Sequence, residues 1–159
     1  MEPKFNIFNK TLSKNSPTLI IAEIGINHMG SEELCAQMIL SALNAGADCV
    51  KLQTVNIEES YHPNTLSYST FKDCELSKKA LERLSKLAKD NNAFLFSTPG
   101  DLSSLSLLES IGVEAYKVSS GLITNLPLIE EILNTKKPII FSTGMAKVQD
   151  IDNIIKIVK

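Results

Sequence analysis

The chain has no tryptophan, only two histidines and only three cysteines. Two histidines exclude a multi-histidine metal site built from this sequence alone. Cys35, Cys49 and Cys74 are odd in number and lack the paired spacing of a zinc site. The first residues, Met1-Glu-Pro-Lys-Phe-Asn, do not open an apolar signal segment. The cysteines therefore read as reduced thiols, and the expected compartment is cytoplasmic. No apolar run approaches the ~18 residues that a membrane helix needs. An excess of charge of one sign is also missing: 16 Lys and Arg against 18 Asp and Glu leave a net charge of −2, with no basic footprint for nucleic acid. Neither a Walker-type Gly-Lys-Ser loop nor a Ser-His-Asp arrangement is evident. Length is short for one architecture in particular. A closed (β/α)8 barrel takes about 200–250 residues, and 159 cannot make a whole one. What is present, 43% hydrophobic and 21% charged residues, is the composition of one globular domain.

The patterning is a β-then-α alternation. Residues 5–17 read as a short hairpin or irregular lead-in. Residues 18–25 form a β-branched apolar run ending in Gly25, a buried strand. Ser31 is a candidate N-cap for a helix over 32–45 that Gly46 ends. Further strands are predicted at 49–53, 93–97, 115–118 and 138–142, with helices at 76–90, 101–111, 126–133 and 150–159. Residues 54–75, polar and holding Tyr61, His62 and Tyr68, are expected to form an extended loop, and long loops in compact domains are often functional. The implied fold class is α/β: a parallel β/α repeat of about five units, a partial TIM (β/α)8 barrel.

One feature does not follow from packing. Each apolar strand carries polar residues at or just past its C-terminal end: Glu23; Lys51 and Gln53; Ser97 and Thr98; Lys117, Ser119 and Ser120; Ser142 and Thr143. That edge is where parallel α/β proteins bind ligands. A strand buried on both faces should be nearly all apolar, so a lysine inside Val-Lys-Leu-Gln is costly unless it meets an anion. Lys51 and Lys117 either snorkel to the rim or pair with Glu23, or together face an anionic substrate with Ser and Thr hydroxyls beside them. Glu23 either moves protons or neutralises a lysine. His28 reads as a structural hydrogen-bonder, and His62 carries a weaker signal still. The turns Ser97-Thr-Pro-Gly100, Ser119-Ser-Gly121 and Ser142-Thr-Gly144 let backbone amides and hydroxyls approach a phosphate.

Ile21-Ala-Glu-Ile-Gly-Ile-Asn-His-Met-Gly30, Ala45-Gly-Ala-Asp-Cys-Val-Lys-Leu-Gln-Thr54, Phe96-Ser-Thr-Pro99, Tyr116-Lys-Val-Ser-Ser-Gly121, Ile123-Thr-Asn-Leu-Pro127 and Lys137-Pro-Ile-Ile-Phe-Ser-Thr-Gly-Met145 resemble, in order, the sialic acid (N-acetylneuraminate) synthase family. The resemblance implies a (β/α)8 barrel with an N-terminal hairpin and a small antifreeze-like domain after it. The expected division is a lead-in at 1–17 and a truncated barrel at 18–159, with the antifreeze-like domain absent. Family members condense phosphoenolpyruvate with N-acetylmannosamine or a related N-acetylated sugar and release phosphate. By this likeness Lys51, Thr98, Lys117, Ser120 and Ser142 hold phosphoenolpyruvate, Gln53 faces the sugar and Glu23 assists proton transfer. The family needs a divalent metal, Mn2+ or Mg2+, whose histidine ligands belong to later strands, so no metal ligand is expected within this chain. Expected partners are small-molecule substrates, with a homo-oligomer also open; neither nucleic acid nor membrane is expected. Two positions depart from the pattern. Gly100 stands where the family carries Phe, and Leu122 stands where it carries a sugar-binding Glu. They leave two alternatives open: a non-catalytic paralogue acting as a binding or regulatory module, and another phosphoenolpyruvate-using aldol-type synthase.

Overall fold

A computed structural model describes residues 4–158. Phe5–Ile7 (β1) and Lys10–Leu12 (β2) pair antiparallel as a hairpin. Strands and helices then alternate: Ile21–Gly25 (β3), Glu32–Asn44 (α1), Cys49–Thr54 (β4), Ile57–Ser60 (α2), Leu66–Lys72 (α3), Lys78–Asp90 (α4), Phe94–Pro99 (β5), Leu102–Ser110 (α5), Tyr116–Val118 (β6), Leu126–Asn134 (α6), Ile139–Phe141 (β7) and Val148–Val158 (α7). A 3-10 turn, Ser120–Leu122, follows β6.

Helix starts are written locally. Ser31, Asn56, Thr65, Ser77, Asp101 and Asn125 each accept a backbone N–H of the first turn at the N-cap. The stretch expected as an extended loop, 54–75, is corrected here: it holds α2 and α3. Four and seven residues are too few for a helical period to emerge, and only the caps Asn56 and Thr65 announce them. The last helix begins two residues earlier than expected, at Val148, and Lys159 lies outside the described residues.

The five parallel strands lie in sequential order, β3-β4-β5-β6-β7. A doubly wound sheet would reverse its order at a switch point; a barrel does not. The sheet thus has the order of a barrel arc. Among the described residues, no helix is long and apolar enough to cross a membrane.

The pleat separates two faces. Val50, Leu52 and Leu95 pack on α1 and α4 through Cys35, Ile39, Leu81, Leu84 and Ala88. Tyr116 and Val118 pack on α5, α6 and α7 through Leu108, Ile129, Ile132 and Ile154. The alternate residues Cys49, Phe96 and Ala115 face the other way, with Ile21, Phe94 and Ile140 beside them. On that inner face sits the hairpin. Ile7 is buried there, and Phe8 stacks on Phe94 at 4.6 Å and meets Phe96 edge-on at 5.4 Å. Each such buried apolar side chain contributes about 1.5–3 kcal/mol. Asp48 ties the hairpin down, accepting from Lys10 and from the Ile20 N–H at 2.7 Å. The hairpin therefore closes the N-terminal end of the inner face and leaves the C-terminal end free.

Candidate functional site

Counting by two along each strand from the apolar inner layer brings one polar residue after another to the same face: Glu23 from Ile21, Lys51 and Gln53 from Cys49, Thr98 from Phe96, Lys117 from Ala115. Ser142, two residues after Ile140, follows at the end of β7. Six of the seven residues singled out in the sequence thus share one face and one end of the sheet.

The two lysines repeat one arrangement. Lys51 Nζ donates to Thr98 Oγ1 at 3.2 Å and to the carbonyl of the next residue, Leu52, at 3.4 Å. Lys117 Nζ donates to Ser142 Oγ and to the carbonyl of its next residue, Val118, both at 2.6 Å. Each ammonium leans toward the C-terminal edge and meets a hydroxyl on the neighbouring strand end. Lys51 also pairs with Glu23, Nζ to Oε2 at 2.8 Å; its side chain is 6% exposed against 54% for Glu23. The buried partner of this pair is the cation, while the carboxylate stays open to water. Burial pushes the Lys117 ammonium below its ordinary lysine value, the charge of Lys51 pushes the same way, and Glu23 pushes back. The two cations and one carboxylate therefore share one electrostatic field, with a formal excess of positive charge.

Glu23 owes its position to the backbone. The register of β3 on β4 slips between Glu23 and Gly25, a bulge of the kind found beside active sites. Gly25 sits there at φ +59°, where a Cβ would come to 3.3 Å from Glu23 Oε1. Ser120 is placed differently from the other six. It lies in the 3-10 turn after β6, half-buried, and takes no part in the hydrogen bonds that join the lysines to Thr98 and Ser142.

Beyond the strand ends lies a hollow of about 600 Å³, reached by Gln53 and Thr98 but by neither lysine. Its far wall is a strap, residues 55–61. The residue that holds this strap, Asp101, escaped sequence reasoning, which placed it simply in a helix. Asp101 Oδ1 caps α5 through the Ser104 N–H at 2.7 Å, and Oδ2 accepts from the Asn56 N–H at 2.7 Å and from Ser60 Oγ at 2.8 Å. An Asp just before a helical pattern is a recognisable N-cap; its second use is not local and left no sequence signal. Gly100 is matched to the same strap, since a Cβ there would meet Val55 Cγ2 at 2.9 Å.

His28 is fully buried, and its Nδ1 accepts from the Gly30 N–H at 3.1 Å. Among the described residues its Nε2 finds no hydrogen-bond partner, and burial holds the imidazole below its ordinary value, hence neutral. His62 caps its own exposed turn through the Asn64 N–H. The three cysteines are free and buried; burial pushes Cys35 up to about 11 and Cys49 up to about 12, so neither is a nucleophile at neutral pH. Among the described residues, no group of three His, Cys, Asp or Glu side chains could hold a metal ion. The divalent metal implied by the resemblance thus finds no cage in these residues, and no chemical step is assigned to one.

Known proteins resemble this chain over nearly all of its length. A protein of Methanocaldococcus jannaschii of undescribed function is 34% identical over 98% of this chain and 46% of its own length. The N,N'-diacetyllegionaminic acid synthase of Campylobacter jejuni is 36% identical over 88% of this chain and 46% of its own. The crystal structure of an N-acetylneuraminic acid (sialic acid) synthetase from Leptospira borgpetersenii, in complex with citrate, superposes with a TM-score of 0.93 at 33% identity, covering 99% of this chain and 55% of that one. The chain spans about half the length of the curated relatives it matches. The model of the NeuB family matches residues 38–159, from within α1 to the last residue. With both lysine-bearing strands inside that match, the chain belongs to the NeuB family.

Proposed function

We propose that this chain carries the phosphoenolpyruvate half-site of a sialic-acid-type synthase, which joins phosphoenolpyruvate to N-acetylmannosamine or a related N-acetylated sugar and releases phosphate. The observation that carries the reading is the repeated lysine–hydroxyl arrangement. Two ammonium groups from alternate strands, Lys51 and Lys117, lean toward one edge with Thr98 and Ser142 as their hydroxyl partners. Phosphoenolpyruvate offers a phosphate and a carboxylate to such a pair, and charge-assisted hydrogen bonds are the strong ones. On this reading Ser120, in the turn after β6, adds a further hydroxyl to the bound phosphoenolpyruvate.

In the reaction the enol carbon of phosphoenolpyruvate forms a bond to the aldehyde carbon of the open-chain sugar, and the aldehyde oxygen takes up a proton. Water adds to the cation-like carbon that bears the phosphate, losing a proton, and the tetrahedral intermediate then collapses: the C–O bond to phosphate breaks, the new hydroxyl becomes the ketone C=O, and its proton goes to the departing phosphate. Lys51 and Lys117 hold the phosphate and stabilise the charge that builds on it as it leaves. Glu23, exposed to water and held by Lys51, takes the proton from the attacking water. Gln53, which reaches the hollow, meets the sugar. In the whole protein this reading also expects a divalent metal, with ligands from outside the described residues.

Calorimetric titration of phosphoenolpyruvate tests the reading. The chain is expected to bind it, and Lys51→Ala and Lys117→Ala are each expected to weaken binding by about tenfold or more, the worth of one charge-assisted contact. Saturable binding that survives both substitutions unchanged would sink the half-site.

A further inference from the structure

Behind the strap lies a second, smaller hollow of about 160 Å³, on the side of α4 and α5. Leu81 of α4, 1% exposed, and Ser104 of α5, 2% exposed, form its floor. Ile26, Phe71, Leu76 and Leu107 continue an apolar wall, and the exposed Glu75 stands at the mouth. Much of the polar chemistry in the lining is committed within the protein. Thr54 meets the Ser97 hydroxyl, Cys74 donates to the Thr70 carbonyl, Ser103 donates to Glu59, and Asn56 Oδ1 caps α2 through the Glu58 N–H. Glu75 Oε1 accepts from the Ile57 N–H at 2.8 Å. What is left over is the Glu75 Oε2 oxygen at the mouth, the Gln53 side chain and the Asn56 Nδ2 on the wall, and the Ser104 hydroxyl at the floor, which takes part in no hydrogen bond among the described residues. Glu75 is the one ionised side chain among the described lining residues, which include no Lys, Arg or His.

A cavity of about 150 Å³ accommodates a single benzene ring. An apolar ring on the floor of this hollow buries its surface against Leu81 and Leu107, while a buried hydroxyl without a partner is costly and favours a guest that completes it. The lone carboxylate at the mouth favours a cation there and repels an anion. We propose that this hollow is an effector site for a small organic ammonium ion, with one apolar ring on the floor, a hydroxyl meeting Ser104 and the ammonium meeting Glu75. Its route to the larger hollow is a shared wall. Gln53, Val55 and Phe71 line both, and Tyr61, in the strap and in the wall of the larger hollow, stacks on Phe71 at 5.2 Å. An occupant of the smaller hollow therefore presses on side chains that shape the larger one. The inference goes beyond the half-site reading and does not rest on it.

Amide-shift NMR titrations of the full chain with benzylamine, 4-hydroxybenzylamine, benzyl alcohol and benzoate test it. Shifts should centre on Leu76, Leu81 and Ser104 and extend across the shared wall to Tyr61. Benzylamine should bind about threefold or more tightly than its neutral isostere benzyl alcohol, the scale of one water-exposed charge contact, and benzoate should bind weakest. 4-Hydroxybenzylamine should gain about threefold or more over benzylamine through the Ser104 hydroxyl. E75Q keeps an acceptor for the Ile57 N–H and should erase the preference for the ammonium alone. S104A breaks no hydrogen bond of the side chain and should erase the gain from the ring hydroxyl alone. Preferences that survive both variants overturn the inference, as do benzoate binding equal to that of benzylamine and shifts that fall outside this hollow or fail to appear at millimolar ligand. Binding that leaves Tyr61 unmoved overturns the effector role.

Discussion

Lys117 is the residue at which charge, burial and chemistry meet. Its ammonium is held below the ordinary lysine value of 10.5, by burial first and by Lys51 second. The sign follows. In the ligand-free protein the unfolded chain keeps the Lys117 proton over a pH interval in which the fold releases it. The fold therefore gains stability from this group as pH rises through the depressed value toward 10.5. An anionic guest reverses the preference by favouring the charged form. Phosphoenolpyruvate affinity should therefore fall as pH rises through the alkaline interval below the ordinary lysine value, with protons taken up on binding. Titrations in buffers of different ionisation enthalpy measure that uptake directly. Lys117→Arg, which stays charged, should flatten the profile; an unchanged slope in that variant would assign the titration to another group.

At the scale of elements, most of the β/α order was legible because each strand of the parallel sheet is a short apolar run and the longer helices α1, α4, α5 and α6 each follow an N-cap residue. The strap was not legible. Its helices are too short to be periodic, and its anchor is a carboxylate forty-odd residues away in sequence, Asp101. The candidate site was legible for a related reason: a lysine between apolar neighbours breaks the apolar run that a buried strand requires, at Lys51 between Val50 and Leu52 and again at Lys117 between Tyr116 and Val118. Sequence patterning could not tell whether Lys51 pairs with Glu23 or faces an anion, because both depend on the stagger between strands. In the structure Lys51 reaches Glu23 and Thr98 together. Asp101 also carries the prediction at this scale. Asp101→Ala removes an N-cap and leaves the Asn56 and Ser104 N–H groups without their acceptor, which should cost about 2–4 kcal/mol. The urea midpoint should drop with little change in slope, and amide exchange should rise across residues 55–61 before it rises in α4. A strap that keeps its protection in this variant would show that Val55 packed against Gly100, rather than the carboxylate, holds it.

For the whole molecule, the decisive fact is that binding and turnover place different demands on the sheet. On the proposed reading, holding phosphoenolpyruvate needs Lys51, Lys117 and their hydroxyl partners, all of which sit on three consecutive strands and the end of a fourth. Turnover needs more. Charge that moves during the reaction must be stabilised in a site shielded from water, where electrostatic interactions are several times stronger than at an open surface. Here Glu23 is half exposed, β3 and β7 each lack a further partner among the described residues, and these residues offer no metal cage. The 159-residue chain should therefore bind phosphoenolpyruvate yet release no measurable phosphate from it with N-acetylmannosamine and Mn2+, whereas Glu23→Gln should leave binding within about threefold of the unmodified chain, since the carboxylate carries no attraction for an anion. A continuous phosphate assay run beside the calorimetric titration separates the two. Turnover by this chain at the rate of a full-length synthase would mean that the five units shown here already enclose the chemistry, and that the inner face is drier than an open five-stranded sheet allows.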